Sequence, residues 1–379
     1  MRNILFVVAI VLVAGGCRQR YEAGITYPKT GYLVVEGFIN SGQGSTTFRL
    51  SRTVKINDTA NLVNERGARV MVQGEDNSSV TMTETAPGTY SISQVPIQNS
   101  KKYRLRIITS QGKEYVSDFV TPIKTPPIDT ISLTKESNGI QLNIDTHDPL
   151  NNTKYYSWYY EETWEFRAKY YRSLKYFRDI RGVIRGVVFI KPDHTYDSTV
   201  FRCWQFNNST SIIIGSTAKL SQDIIHMPLI FIDQDSWKIS VLYTVKLYQH
   251  SLSPNGYEFL KRMKKNTEQV GSIFDSQPSD LNSNIHCTTQ PLEPVIGYID
   301  VAEAQEKRLW LTPTDVAPWN YDLFCETAVW NSGMNLDSLY NQKPMIPTNP
   351  FNLDFQVATP ICVDCTLRGF NNKPSYWPN

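Results

Sequence analysis

The chain has 379 residues, with 38 Lys and Arg against 36 Asp and Glu and a formal net charge of +2 at pH 7. So even a balance excludes the basic footprint of a nucleic-acid binder. Hydrophobic residues make up 41% and aromatic residues 12%, which excludes disorder over most of the length.

The chain opens with Met1-Arg2-Asn3, an apolar run from Ile4 to Val13, and then Ala14-Gly15-Gly16-Cys17. A basic start, a short apolar stretch and small residues ahead of one cysteine are the pattern of a bacterial lipoprotein signal peptide. The run is roughly half the ~20 residues of a membrane-crossing helix, so it reads as a targeting segment. Cleavage before Cys17 predicts residues 1–16 as signal peptide and Cys17 as a lipidated N-terminus carrying diacylglycerol and an acyl chain. Residues 17–30 are polar and aperiodic and read as a linker. Roughly 360 residues then remain, more than one core usually serves, so two domains are expected.

Strand signals start at Tyr32. The segments Tyr32 to Ile39, Thr46 to Leu50, Ala68 to Val72, Val80 to Glu84, Thr89 to Ser93, Tyr103 to Thr109 and Glu114 to Val120 are short, β-rich and separated by turn chemistry. In Tyr103-Arg104-Leu105-Arg106-Ile107 the apolar residues fall on one face and two arginines on the other. Seven such strands predict an immunoglobulin-like or fibronectin-like β-sandwich over residues 31–122, with Tyr103 closing a tyrosine corner. Pro122, Pro126 and Pro127 then form a stiff junction.

Residues 123–379 read as a larger β-rich domain. Its predicted strands are Ile131 to Leu133, Ile140 to Ile144, a long aromatic strand from Tyr155 to Phe166, Val187 to Ile190, Ile212 to Ile214, Ile239 to Leu247, Val295 to Ala302 and Arg308 to Leu311. One helix is expected where Ser253 caps and Pro254 opens a stretch with Tyr257, Leu260 and Met263 at helical spacing. From Ala317 onward prolines accumulate and periodicity fades, so disulfides are expected to brace an irregular C-terminus. The fold class is mainly β throughout.

Five cysteines follow Cys17: Cys203, Cys287, Cys325, Cys362 and Cys365. In an exported chain they are disulfide candidates, and the odd count leaves one over. The expected pairs are Cys203 with Cys287, and Cys325 with either Cys362 or Cys365. The Cys362-Val363-Asp364-Cys365 spacing lacks the four ligands of a structural zinc site and the βαβ setting of a redox site.

The aromatic strand offers a second candidate surface. Alternation points Tyr156, Trp158 and Tyr160 inward and Tyr155 and Tyr159 outward; these two, with Trp164, are a possible binding face for a peptide or glycan. Glu162 and Glu165 supply a hydrolytic acid and base only if both reach one cleft. Ser216-Thr217-Ala218-Lys219 and Lys29-Thr30-Gly31 resemble the motifs of penicillin-recognising enzymes, but their order along the chain is reversed and no Ser-Asp-Asn accompanies them. The five histidines form no metal-ligand spacing, and Gly-x-Ser-x-Gly and phosphate loops are absent. The sequence therefore nominates no catalytic residue, metal or cofactor.

Several stretches together resemble a family of Bacteroidota lipoproteins catalogued as domain of unknown function 4249. They are Tyr32-Leu33-Val34-Val35-Glu36-Gly37, Leu50-Ser51-Arg52-Thr53, Thr146-His147-Asp148-Pro149, the run from Tyr160 to Phe166, Lys264 to Glu268, Gly271 to Asp275, Glu293-Pro294-Val295-Ile296-Gly297-Tyr298, and Cys362 to Cys365. The resemblance implies an outer-membrane, surface-exposed lipoprotein that serves a β-barrel such as a TonB-dependent receptor and helps capture its cargo. The competing expectation is a carbohydrate- or peptide-active hydrolase built on Glu162 and Glu165.

Overall fold

The computed structural model describes residues 31–54, 63–268, 282–352 and 354–378. Cys17, the signal peptide and the linker lie outside these described residues, as does Gly271 to Asp275. The described chain is mainly β and builds two principal cores.

The first core is a sandwich of two sheets. One runs in the order Thr83–Ala86, Thr89–Ile92, Thr46–Arg52, Leu33–Gly37. The other runs Ser79–Thr81, Arg69–Gly74, Tyr103–Ile108, Glu114–Ser117. Strict alternation along Tyr103–Ile108 buries Tyr103, Leu105 and Ile107 and leaves Arg104 and Arg106 half-exposed, so each strand contributes one apolar face to the interior. The Tyr103 hydroxyl accepts a hydrogen bond from the Gln98 amide at 2.8 Å, the tyrosine corner expected of such folds.

This sandwich is completed from far along the sequence. Ile285–Cys287 adds to the edge strand Glu114–Ser117, Val295–Ile296 runs parallel to Leu33–Gly37, and Val301–Ala302 runs parallel to Ile39–Asn40. Ile285, Cys287, Val295, Ile299 and Val301 are all buried in the first core. The chain thus passes between the two cores three times: out after residue 122, back before residue 284 and out again after residue 302. Polar clasps fix the return: the Asn284 side chain pairs with both backbone groups of Ile299, at 2.8 and 2.9 Å. Glu293, 7% exposed, meets Lys113 at 2.5 Å, the Tyr115 hydroxyl at 2.7 Å and Arg52 at 3.5 Å.

The second core lies between a three-stranded sheet of Ile128–Glu136, Gly139–His147 and Ile224–Asp233 and a sheet in the order Arg202–Asn208, Tyr155–Arg167, Leu242–Ser251, Gln305–Leu311. Ile213–Ser216 extends the latter along the first half of the central strand. Ile224–Asp233 carries Pro228, which argues against a strand in sequence. It is an edge strand, and its register shifts where Pro228 stands opposite Asn143, a place where a missing N–H is tolerated. The described residues hold three α-helices rather than the one expected, the short ones at Pro313–Val316 and Leu336–Gln342; the long one, α1, spans Pro254–Glu268, with the Ser253 hydroxyl accepting from the Gly256 amide at 3.0 Å.

The C-terminal region holds a three-stranded sheet of Thr327–Trp330, Asp354–Ala358 and Ile346–Phe351, packed with the hairpin Leu174–Arg178 and Ile184–Phe189. Two disulfides brace it: Cys203 with Cys365 and Cys325 with Cys362. The second is one of the two expected alternatives; the expected pair of Cys203 with Cys287 does not form. Cys203 belongs to the second core and Cys287 to the first, where it is buried as a free thiol.

Cys203–Cys365 spans a sequence separation of 162, against 37 for Cys325–Cys362. Chain-entropy reasoning gives the longer loop about 5 kcal/mol and the shorter about 4 kcal/mol. Non-reducing peptide mapping is expected to recover these two cross-linked pairs, with Cys287 alkylated only after unfolding. Recovery of a Cys203–Cys287 peptide would contradict the fold.

Candidate functional site

The aromatic strand Tyr155–Arg167 separates its side chains by alternation. Tyr156 and Trp158 are buried in the second core, where the Trp158 indole donates to Gln249 at 2.7 Å. Ser157 and Tyr159 stand on the opposite face, beside His250 and Tyr248 of the neighbouring strand. Tyr159 is 42% exposed and stacks on Tyr248 at 4.3 Å, and Tyr155 is half-buried against Tyr257 of α1 at 4.8 Å. Trp164 does not join them. It shares the parity of Tyr156 and Trp158, is 4% exposed, and packs edge-to-face on Trp237 at 5.3 Å.

Glu162 and Glu165 are three residues apart and therefore point to opposite sides of the sheet. Each is buried and saturated by its own partners. Glu162 accepts from Lys238 at 2.7 Å, the Tyr243 hydroxyl at 2.8 Å and Asn207 at 3.1 Å. Glu165 accepts two bonds from Arg202, both at 2.7 Å, and one from the Trp377 indole at 3.0 Å. They share no cleft, so the acid and base pair expected of them is not assembled.

A concave feature lies instead where the two sandwiches meet. It is a cleft of about 430 Å³, within the size range of small-molecule sites. Val34, Glu36 and Phe38 form one wall, from the strand edge of the first sandwich. Phe259, Leu260 and Met263 of α1 form the second, and Ser157, Tyr159 and His250 the floor. The returning segment contributes Ile296, Tyr298 and Asp300.

Two glycines permit this convergence. A Cβ on Gly256 would lie 2.1 Å from Asp300 Oδ2, so only glycine lets the first turn of α1 approach the carboxylate. Gly297 has φ +151°, and a Cβ there would meet the Val35 carbonyl oxygen at 2.5 Å.

Two buried polar atoms in this lining have no hydrogen-bond partner among the described residues: Asp300 Oδ1 and His250 Nδ1. Asp300 is 3% exposed, and its other oxygen accepts from the Ser253 amide at 3.3 Å. Burial raises its carboxyl to about 6, against the Ser253 hydrogen bonds that favour the ionised form. The His250 ring stacks on Phe38 at 4.0 Å, and burial lowers its pKa to about 4. At neutral pH the cleft therefore presents an ionised carboxylate and a neutral imidazole in a mostly apolar setting. Asp300 and His250 were not singled out by sequence, because each stands alone in a β segment without a motif; the nearby Gly256 and Gly297 were the available signal.

An unfilled acceptor costs stability that a binding partner recovers. Because the folded pKa of Asp300 lies above its unfolded value of 3.8, the folded state binds the proton more tightly. Stability is then expected to fall as pH rises from about 4 through about 6. Asp300→Asn keeps an acceptor for Ser253 and removes the charge, and is expected to raise the melting temperature at pH 7.5 by roughly 2–5 °C. Thermal melts from pH 4 to 8 check this; a lower melting temperature for the variant at pH 7.5 would show the carboxylate to be stabilising.

Two solved structures show a slight likeness to this chain. A candidate carbohydrate binding protein from Bacteroides uniformis is 13% identical, with a TM-score of 0.15 over 59% of this chain and 90% of its own. A DUF3823 family protein from Bacteroides ovatus is likewise 13% identical, with a TM-score of 0.15 over 58% of this chain and 91% of its own. Neither likeness bears on what the cleft holds. No match was found among curated proteins. A family model does match, over residues 18–308, and the chain belongs to that family, described as domain of unknown function DUF4249.

Proposed function

We propose that this chain is a non-enzymatic, lipid-anchored binding protein of the outer membrane. It takes up a small ligand in the cleft between its two sandwiches and delivers it to a β-barrel partner such as a TonB-dependent receptor. The observation that carries this reading is the cleft itself: a mostly apolar space of about 430 Å³ whose lining leaves Asp300 Oδ1 and His250 Nδ1 without hydrogen-bond partners among the described residues. Sites for small molecules combine this kind of lining with a few placed polar groups.

The anchoring part rests on the sequence around Cys17. A lipid at that position confines the protein to the plane in which barrels sit and raises its effective concentration there. The delivery part rests on that geometry.

Fractionation of producing cells tests the reading. The native chain is expected in the outer-membrane fraction and, after detergent extraction, in a complex with a β-barrel protein, while Cys17→Ala is expected in the soluble fraction. Recovery of the native chain as a free monomer would contradict delivery, and retention of Cys17→Ala in membranes would contradict lipid anchoring.

A further inference from the structure

The chemistry of the cleft narrows what fits it. Among the described residues its lining includes two carboxylates, Glu36 and Asp300, and no lysine or arginine. Glu36 stands exposed at the rim and makes no ion pair among the described residues. Asp300 is held at depth, with Oδ2 on the Ser253 amide and Oδ1 unmatched. A buried anion is normally neutralised by a protein cation placed beside it. Glu162 on Lys238, Glu165 on Arg202 and Glu293 on Lys113 follow that rule. Asp223, 1% exposed and without an ion pair among the described residues, has both oxygens hydrogen-bonded instead, by the Thr217 and Tyr156 hydroxyls and the Asp148 amide. Asp300 has neither a cation nor a partner for Oδ1 among the described residues, and it lines the cleft.

Around it the surfaces suit a cation on an apolar body. Phe259 and Tyr298 lie 5.8 Å apart between ring centroids, and Phe38 covers His250. Aromatic faces attract ammonium and guanidinium groups as well as hydrocarbon. An anionic ligand would instead meet two carboxylates and no positive side chain.

We propose that the cleft binds an organic cation, a primary amine or guanidinium carried on an apolar body, with its N–H groups donating to Asp300 Oδ1. This rests on the reading of the cleft as a binding site and adds the chemical class of its ligand. The amine lies across the Phe259 and Tyr298 rings, its apolar body runs against Leu260 and Met263, and Glu36 attracts the charge at the entrance. His250, neutral above pH 5, sets the floor without repelling the cation.

The pairing depends on the ionisation of Asp300, whose carboxyl burial raises to about 6. The titratable groups that share the cleft are Glu36 from the first sandwich, Tyr298 from the returning segment, and Tyr159 and His250 from the second sheet; α1 contributes none. Among the groups of the cleft, Asp300 is the one whose carboxyl burial raises into the range between pH 5 and 7.5.

Calorimetric titration of the folded protein with 2-phenylethylamine, 2-phenylethanol and 3-phenylpropanoate tests the assignment. At pH 7.5 the amine is expected to bind at least about 10-fold more tightly than the alcohol, and the carboxylate more weakly than either. In the native chain that preference is expected to shrink to about 2-fold or less at pH 5. Asp300→Asn is expected to remove it at pH 7.5, bringing the amine's affinity to within about 2-fold of the alcohol's. Equal binding of amine and alcohol by the native chain at pH 7.5, or preference for the carboxylate, would overturn the cation assignment and leave the cleft as a binding site. Failure of all three compounds to bind at millimolar concentration would overturn both.

Discussion

The return of residues 284–302 to the first sandwich is the constraint on which the rest of the structure depends. Two-residue parallel pairings at Val295–Ile296 and Val301–Ala302 would be weak alone. They hold because Ile285, Val295, Ile299 and Val301 bury their side chains in the first core and because Asn284 and Glu293 are tied down by hydrogen bonds and charge. Between its two visits to the first sandwich the chain builds most of the second core, so the two units are stitched together by backbone rather than merely docked. An interface made in this way resists relative motion more than a surface contact between independent domains.

The cleft follows from that stitching. Gly297 lets the returning strand lie against Val35, the Asp300 carbonyl accepts from the Ile39 amide at 3.0 Å, and the Asp300 side chain then sits against the first turn of α1. The carboxylate is thus fixed by its backbone at a place where burial disfavours its charge. In the proposed account this tension is a binding site waiting for its counter-ion, in keeping with the general trade of stability for function at such sites.

Much of the fold was legible because the signals were local. Alternation in Tyr103–Ile108, the tyrosine corner at Tyr103 and the Ser253-Pro254 helix start all report on neighbours within a few residues. The illegible parts are those whose partners are remote. Nothing local in Val295-Ile296 states that it pairs with Leu33 and Val34, and nothing in Cys203 states that its partner is Cys365 rather than Cys287. Trp164 is instructive in the other direction: the parity that buries Tyr156 and Trp158 also buries it, so its place on a binding face conflicted with the period already visible. Of the candidate site only Tyr159 carried over from the sequence, since Asp300 and His250 gain their chemical character from burial that only the assembled fold creates.

Crystallographic fragment screening is the most direct test of the central claim that this inter-sandwich cleft is the functional site. The account predicts that ordered fragments collect between α1 and the strand Leu33–Gly37, with a donor group within hydrogen-bond distance of Asp300 Oδ1. Fragments clustered elsewhere on the surface, with the cleft left vacant across the screen, would contradict it.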